Sequence, residues 1–245
     1  MFSEEAHGMA ASGHTVHLID NEALNSGPSR IRPPFEPGAR VVYRGWMLTH
    51  GEYVNLAASV EQAGGLCVAS PDDYLATHHL PHWYPIVIDY TPETAFLDTG
   101  ADLASELRRL GWEKFFVKDY VKSLKTSVGS IIEDPQQIDI VVSEMEKYRG
   151  FIEGGLCIRR VEDFIADAER RYFVLNRKPY ATEPGAAIPE PVVFCADAIP
   201  SPFFSVDVAR RADGAERIVD IGDGQVSDLV GSSVERFIGM WMDVD

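Results

Sequence analysis

Strands alternating with capped helices over residues 14–92, and a C-terminal hairpin that opposes two aspartates, predict a chain of mixed α/β and α+β class. Its length, 245 residues, suffices for one large domain or two small ones, each with its own core. The apolar and charged fractions, 45% and 24%, are those of a soluble globular protein. The longest apolar runs are short and interrupted, so no transmembrane helix is expected. The opening MFSEEAHGMAASGHTV has neither a basic start nor an apolar centre and does not read as a secretory signal. Cys67, Cys157 and Cys195 lie far apart without CxxC spacing, which argues against a zinc site or disulfide framework and favours a reducing, cytoplasmic setting. A formal net charge of −16 counts against general nucleic-acid binding, which rests on neutralising phosphates. No internal repeat is visible.

Taken in order, residues 1–13 read as a frayed start and Thr15–Ile19 as a first strand. Asn25–Pro37, with four prolines, is an extended loop whose Arg30 and Arg32 suit an anion, with surface charge the plainer reading. Val41–Tyr43 reads as a second strand that delivers Arg44 to a strand end, where ligands of open α/β sheets bind; stacking of Arg44 on Trp46 is the plainer alternative. Tyr53, Leu56, Ala57 and Val60 form a helical stripe closed by Gly64-Gly65. Leu66–Ala69 is a short strand, and Ser70-Pro71 opens another helix. His78, His79 and His82 stand in HHLPHWYP, where two prolines prevent a helical ligand pair, so aromatic packing is expected. Leu103–Leu110 is a helix stopped by Gly111. Lys114–Lys118 is a strand whose exit carries Lys118, followed by a loop holding Lys122, Lys125 and Ser127. Such a loop can close over phosphates or stand solvated, and it lacks the GxxxxGK[ST] pattern. Asp134-Pro135 caps a helix, Gly154–Val161 and Arg171–Leu175 are strands, residues 181–191 are loop, and Ser227 or Asp228 caps a terminal helix.

The hairpin carries the chemistry. Ser205–Arg211 and Glu216–Ile221 alternate like half-buried strands around Asp213-Gly214, a dipeptide suited to a tight turn. That register sets Asp207 opposite Asp220 and turns Val206, Val208, Val219 and Ile221 to the other face. Opposed like charges destabilise a sheet unless neutralised, and paired carboxylates suit Mg²⁺. A solvated hairpin with two surface aspartates accounts for the same residues.

The order is then strand with exit lysine, loop, helix, strand with arginine, acidic joint, Glu-x-Arg-x-Phe strand, and the Asp…Asp hairpin. This order resembles the ATP-grasp superfamily from about Phe115 to the C-terminus, and within it the bacterial and phage clade named for one arginine and two lysines. The resemblance implies an ATP-grasp fold of two α+β lobes with antiparallel sheets, at residues 96–161 and 162–245, after a small α/β domain at 1–95. It implies that Lys118 meets phosphates, that Lys122, Lys125 and Ser127 close over them, and that the Arg160, Val161 and Glu162 joint reads adenine and ribose. Glu169 and Arg171 match an acidic and basic pair facing phosphate, and Arg159 matches the clade's arginine. The metal pattern, an acidic residue, about a dozen residues, then Glu-x-Asn, falls on Asp207 and Asp220-Ile221-Gly222. Glycine replaces the asparagine, so Asp223 or Gln225 is expected to supply a third ligand. The clade's earlier lysine has no clean counterpart.

What the resemblance implies is an ATP- and Mg²⁺-dependent ligase joining a carboxylate to an amine through an acylphosphate, with Arg44 receiving an acceptor carboxylate or phosphate. The acceptor is a small molecule or a peptide. A nucleic-acid-modifying or RNA-joining ATP enzyme, and a nucleotide-binding module without catalysis, are the alternatives.

Overall fold

The computed structural model describes residues 2–121 and 129–242. In chain order its elements are α1 (Phe2–Ala11), β1 (Ala39–Val41), α2 (His50–Gln62), β2 (Gly65–Cys67), α3 (Pro71–His78), α4 (Leu80–Trp83), β3 (Thr94–Leu97), α5 (Leu103–Leu110) and β4 (Phe115–Asp119). There follow β5 (Ile131–Ile132), α6 (Ile138–Arg149), β6 (Leu156–Arg160), β7 (Arg170–Leu175), β8 (Lys178–Ala181), α7 (Glu190–Ala198), β9 (Phe203–Arg210), β10 (Glu216–Asp223) and α8 (Val234–Met242). The strands form a parallel pair β1-β2 and two four-stranded sheets, ordered β10-β9-β7-β8 and β3-β6-β4-β5. The registered pairs within the four-stranded sheets are antiparallel, as expected for an ATP-grasp fold.

The chain divides into two units. The first comprises Met1–Thr77, Arg170–Val208 and Asp220–Asp245; the second comprises His78–Glu169 and Ala209–Val219. This division differs from the boundary expected near residue 95, because β3 pairs with β6 and thereby joins the segment before it to the second unit.

Local chemistry explains the helices that position these sheets. Thr49 and Glu52 form a reciprocal capping box at the start of α2, which satisfies two otherwise orphaned N–H groups. Asp102 caps α5, and Gly111 ends it in the left-handed region that glycine adopts without strain. The terminal helix starts later than expected: Ser233 Oγ accepts from Arg236 N–H, so the cap is Ser233 rather than Ser227 or Asp228. Residues 2–11 form a helix, not a frayed end, whereas 15–19 form no strand. β8 (to Ala181) and α7 (from Glu190) each extend into the stretch 181–191 expected to be loop.

In the first unit, Leu24, Tyr53, Leu56, Val60 and Tyr74 build a core around α2. A second cluster sets Phe173, Leu175 and Phe203 of the sheet against Phe237 and Met240 of α8, with Met9 of α1 beside them. In the second unit, Leu107, Phe115, Val117, Ile138, Val141, Leu156 and Ile158 pack α5 and α6 onto one face of the sheet. Phe116 and Lys118 alternate with Phe115 and Val117 along β4, so they belong to the face away from these helices.

The hairpin is buried on both faces, not half-exposed. Val206, Val208 and Ile221 are buried as expected, but so are Ser205, Asp207, Ala209 and Ile218 on the face expected to be polar. A carboxylate in that setting requires partners.

Candidate functional site

The partner of Asp207 is Arg171. The β7–β9 register puts the two directly opposite. Arg171 Nε donates to Asp207 Oδ1 at 2.7 Å and Nη2 to Oδ2 at 2.6 Å, a forked, charge-assisted pair. Nη1 donates to the Asp228 carbonyl at 3.0 Å. Gly224 N–H donates to the Phe203 carbonyl at 3.2 Å, the register that also sets Asp207 opposite Asp220. Burial works against the Arg171 charge. The Asp207 bonds and the charges of Asp207, Asp220 and Asp228 outweigh it and hold the guanidinium above its ordinary range. One cation is thus set among several carboxylates.

This donor set fits Mg²⁺ in part. Mg²⁺ takes one or two protein carboxylates and fills its remaining positions with water and phosphate oxygens, which Asp207 and Asp220 satisfy. Among the described residues no group of three or more His, Cys, Asp or Glu side chains is arranged to hold a metal.

Asp223 is therefore not brought to this pair, contrary to expectation. One residue past Gly222, it lies on the opposite side of β10 from Asp220 by strand alternation. Its Oδ1 accepts from Gln225 N–H and Nε2, and Gln225 Nε2 also donates to Tyr53 Oη. Asp223 Oδ2 is buried and has no hydrogen-bond partner among the described residues. Burial pushes the carboxyl up to about 7, against the pull of the Gln225 bonds. Beside Gly222, where the asparagine is missing, a Cβ would meet Ser227 Oγ at 3.3 Å and Ser205 Oγ at 3.4 Å, and these hydroxyls bond each other at 2.8 Å.

Arg44 likewise departs from its expected role. Nε and Nη2 fork onto buried Glu5 at 2.7 and 3.0 Å, Nη1 donates to the Gly224 carbonyl at 2.5 Å, and Nη2 donates to the Ser227 carbonyl at 3.0 Å. The rings of Phe2 and Phe237 lie 5.3 and 4.6 Å from its guanidinium carbon. The group is enclosed within its unit and ties α1 to the segment after β10; it does not present charge to an acceptor.

In the second unit, Lys118 is buried opposite Cys157. Arg159, opposite Thr94 and Phe116, donates to the Val219 carbonyl and to Thr91 Oγ1, the latter at 2.6 Å, and lies 5.9 Å from the Trp83 ring. It acts as a tie between β6 and the hairpin tip. The joint Arg160, Val161 and Glu162 borders a cavity of about 820 Å³, together with Tyr84, Thr94 and Arg217. Arg217 Nε and Nη2 reach the two Glu162 oxygens at 3.0 Å each. No motif signals Arg217, which stands in a strand that also carries Glu216, Asp220 and Asp223. His79 Nε2 lies 3.2 Å from Glu153 Oε1 and its ring stands edge-on to Tyr120, in keeping with the expected aromatic packing. Glu169 is exposed just ahead of β7. Lys122, Lys125 and Ser127 lie outside the described residues.

Residues 109–240 match the model of an ATP-grasp domain family, the third family of the clade named for one arginine and two lysines. Several solved structures are similar over 98% of this chain. D-cycloserine synthetase DcsG is similar at a TM-score of 0.66 and 12% identity, over 92% of its own chain. A RimK domain ATP-grasp protein from Sphaerobacter thermophilus DSM 20745 gives 0.65 and 17%, also over 92%. The ATP-grasp ligase PsnB, solved with precursor peptide PsnA2 and AMPPNP, gives 0.60 and 12% over 92%. At these identities the likeness concerns the fold. No curated protein sequence matches the chain. Among the described residues no helix is long and apolar enough to cross a membrane.

Proposed function

We propose, from the premise that this chain belongs to the ATP-grasp superfamily as a member of the third family of its one-arginine, two-lysine clade, that it is an ATP- and Mg²⁺-dependent ligase joining a carboxylate to an amine. The observation that carries this reading is the buried Arg171–Asp207 pair, with Asp220 opposed on the adjacent strand. A fixed guanidinium in the field of Asp207, Asp220 and Asp228 suits a site that exchanges protein charge for phosphate and metal charge. Asp207 and Asp220 would hold Mg²⁺, whose chemistry there is neutralisation of phosphate oxygens. Lys118 and Arg171 bind and orient the phosphates, and Glu169 faces them. Lys122, Lys125 and Ser127 exclude water. Arg160, Val161 and Glu162 receive the adenosine, and Arg159 steadies the strand that leads to them.

In the reaction, a substrate carboxylate oxygen attacks the γ-phosphorus and ADP leaves. The amine nitrogen then attacks the acylphosphate carbon, phosphate departs with the C–O bonding pair, and the nitrogen loses a proton. A peptide or an amino-acid-like acceptor is supported by two structurally similar proteins, one solved with a precursor peptide and one a D-cycloserine synthetase. The segment 1–95 is assigned to acceptor recognition, without Arg44.

The test is product analysis. Incubation with ATP, Mg²⁺ and panels of acids and amines should release ADP and phosphate in step with amide formation. AMP and pyrophosphate would overturn the acylphosphate route, and ATP binding without consumption of any acceptor would favour a non-catalytic module.

A further inference from the structure

The cavity beside the joint is bordered by an arginine that nothing above assigns a role. Arg217 enters the second unit on the hairpin tip, and four of its five N–H donors are directed to acceptors within that unit. Nε and Nη2 fork onto Glu162 Oε2 and Oε1, Nη1 donates to the Asp89 carbonyl at 2.6 Å, and Nη2 donates to the Thr91 carbonyl at 2.6 Å. Arg211 Nη1 lies 3.6 Å from Glu162 Oε2. The arginine is mostly buried, and so is the Glu162 side chain.

Such an arrangement fixes a carboxylate without saturating it. An ionised carboxylate offers about four lone-pair sites, and the fork occupies one on each oxygen. The remaining sites suit neighbouring hydroxyl donors. Anchorage of Arg217 to two backbone carbonyls removes its own freedom, so the orientation of Glu162 is inherited from the backbone of residues 89–91. The cavity, about 820 Å³, is of a size that takes a nucleoside-sized ligand.

We propose that Arg217 is a specificity-determining positioning residue: it presents the Glu162 carboxylate to the ribose hydroxyls of the bound nucleotide and so sets the preference for ribose over deoxyribose. The inference rests on the reading of Glu162 as the ribose ligand. A single-point cation at 217 would hold the charge but not the plane of the carboxylate.

The test compares the full-length protein with Glu162→Gln, Arg217→Met and Arg217→Lys, measuring Kd for ATP, 2′-deoxy-ATP and 3′-deoxy-ATP in the presence of Mg²⁺. The unmodified protein should prefer ATP over the deoxynucleotides by about tenfold or more, the value of a hydrogen bond to a charged group. Arg217→Met should reduce that ratio to about two or less, and Arg217→Lys should restore it only in part. A merely structural role would weaken all three nucleotides alike and leave the ratio untouched, which overturns the inference. If Glu162→Gln loses discrimination while both Arg217 variants keep it, the positioning role falls and the ribose reading stands. If Glu162→Gln keeps full discrimination, the ribose reading falls and the role of Arg217 with it. Should Arg217→Met not fold, Arg217→Lys decides: a ratio equal to that of the unmodified protein is the overturning result.

Discussion

Arg44 and Arg171 make the same contacts to opposite ends. Each forks Nε and Nη2 onto one buried carboxylate, and each gives a further donor to the chain just after β10: Arg44 to Gly224 and Ser227, Arg171 to Asp228. The surroundings differ. Arg44 faces two aromatic rings, whereas Arg171 feels Asp220 and Asp228 in addition to its partner. A guanidinium forked onto Glu5 between apolar rings, with the buried Asp223 carboxyl nearby, locks the fold. A guanidinium in the field of several carboxylates is held firmly in its charged form, and this is the setting of the proposed phosphate and metal site. The two clamps share their fork geometry and differ in what surrounds it, aromatic rings for Arg44 and further aspartates for Arg171.

The sharpest way to break this contrast is to remove one carboxylate from each neighbourhood. Asp220→Asn should lower turnover of the acid–amine pair found by ADP release about 10²–10³-fold or more, with the folded state retained. Glu5→Gln should do the reverse. It strands a buried guanidinium and costs about 3–5 kcal/mol of stability by urea titration, while the protein that remains folded turns over normally. Equal stability losses in both variants would dissolve the distinction.

A smaller effect separates the two neighbourhoods by pH. Asp223, near Arg44, has its carboxyl raised from 3.8 to about 7 in the folded state, chiefly by burial. Between those values the folded protein holds a proton that the unfolded chain has released, so stability from this group falls as pH rises from about 4 to 7 and levels off above. The slope is at most about 1.4 kcal/mol per pH unit. Asp223→Asn keeps the site neutral, so its stability should gain on the unmodified protein as pH is raised from 5 to 8. Parallel urea-derived curves for the two proteins would contradict the shift.

How legible each neighbourhood is in the sequence follows from the range of its contacts. Helices such as α2 and α5 are read from local pattern and the glycines that close them, and both form where the sequence places them. The Asp207–Asp220 opposition follows from a local turn. The strand expected at 15–19 fails because alternation specifies a strand only where a neighbour exists to pair; Leu18 instead projects into solvent. The helix α1 escapes notice for the converse reason. Its small and acidic residues look unstructured alone, yet Gly8 permits close approach to Ile238 and Val234 of α8, and Glu5 meets Arg44 thirty-nine residues on. Arg44 reads as a ligand group in the sequence because the partners that enclose it, Glu5, Gly224 and Ser227, are distant along the chain. Arg171 draws attention through the order of a family's elements, not through local pattern. Its union with Asp207 is a sheet-register fact that no sequence spacing carries.

The smallest predicted effect lies at two glycines that flank Asp223. At Gly224, whose carbonyl serves Arg44, a Cβ would stand 2.7 Å from the Phe203 ring, which is itself fully buried against Phe173 and Phe237. At Gly222, on the Asp220 side, a Cβ would meet only the two serine hydroxyls, at 3.3 and 3.4 Å, and hydroxyls turn where a buried ring does not. Gly224→Ala should therefore cost about 1–3 kcal/mol by overpacking. Gly222→Ala should stay within about 1 kcal/mol, because the lost Ser205–Ser227 bond is offset by reduced backbone freedom in the unfolded chain. Urea titration of both variants checks the order. If Gly222→Ala proves the more damaging, the Asp220 side is packed as tightly as the Arg44 enclosure, and the case for a site that opens to phosphate and metal is lost.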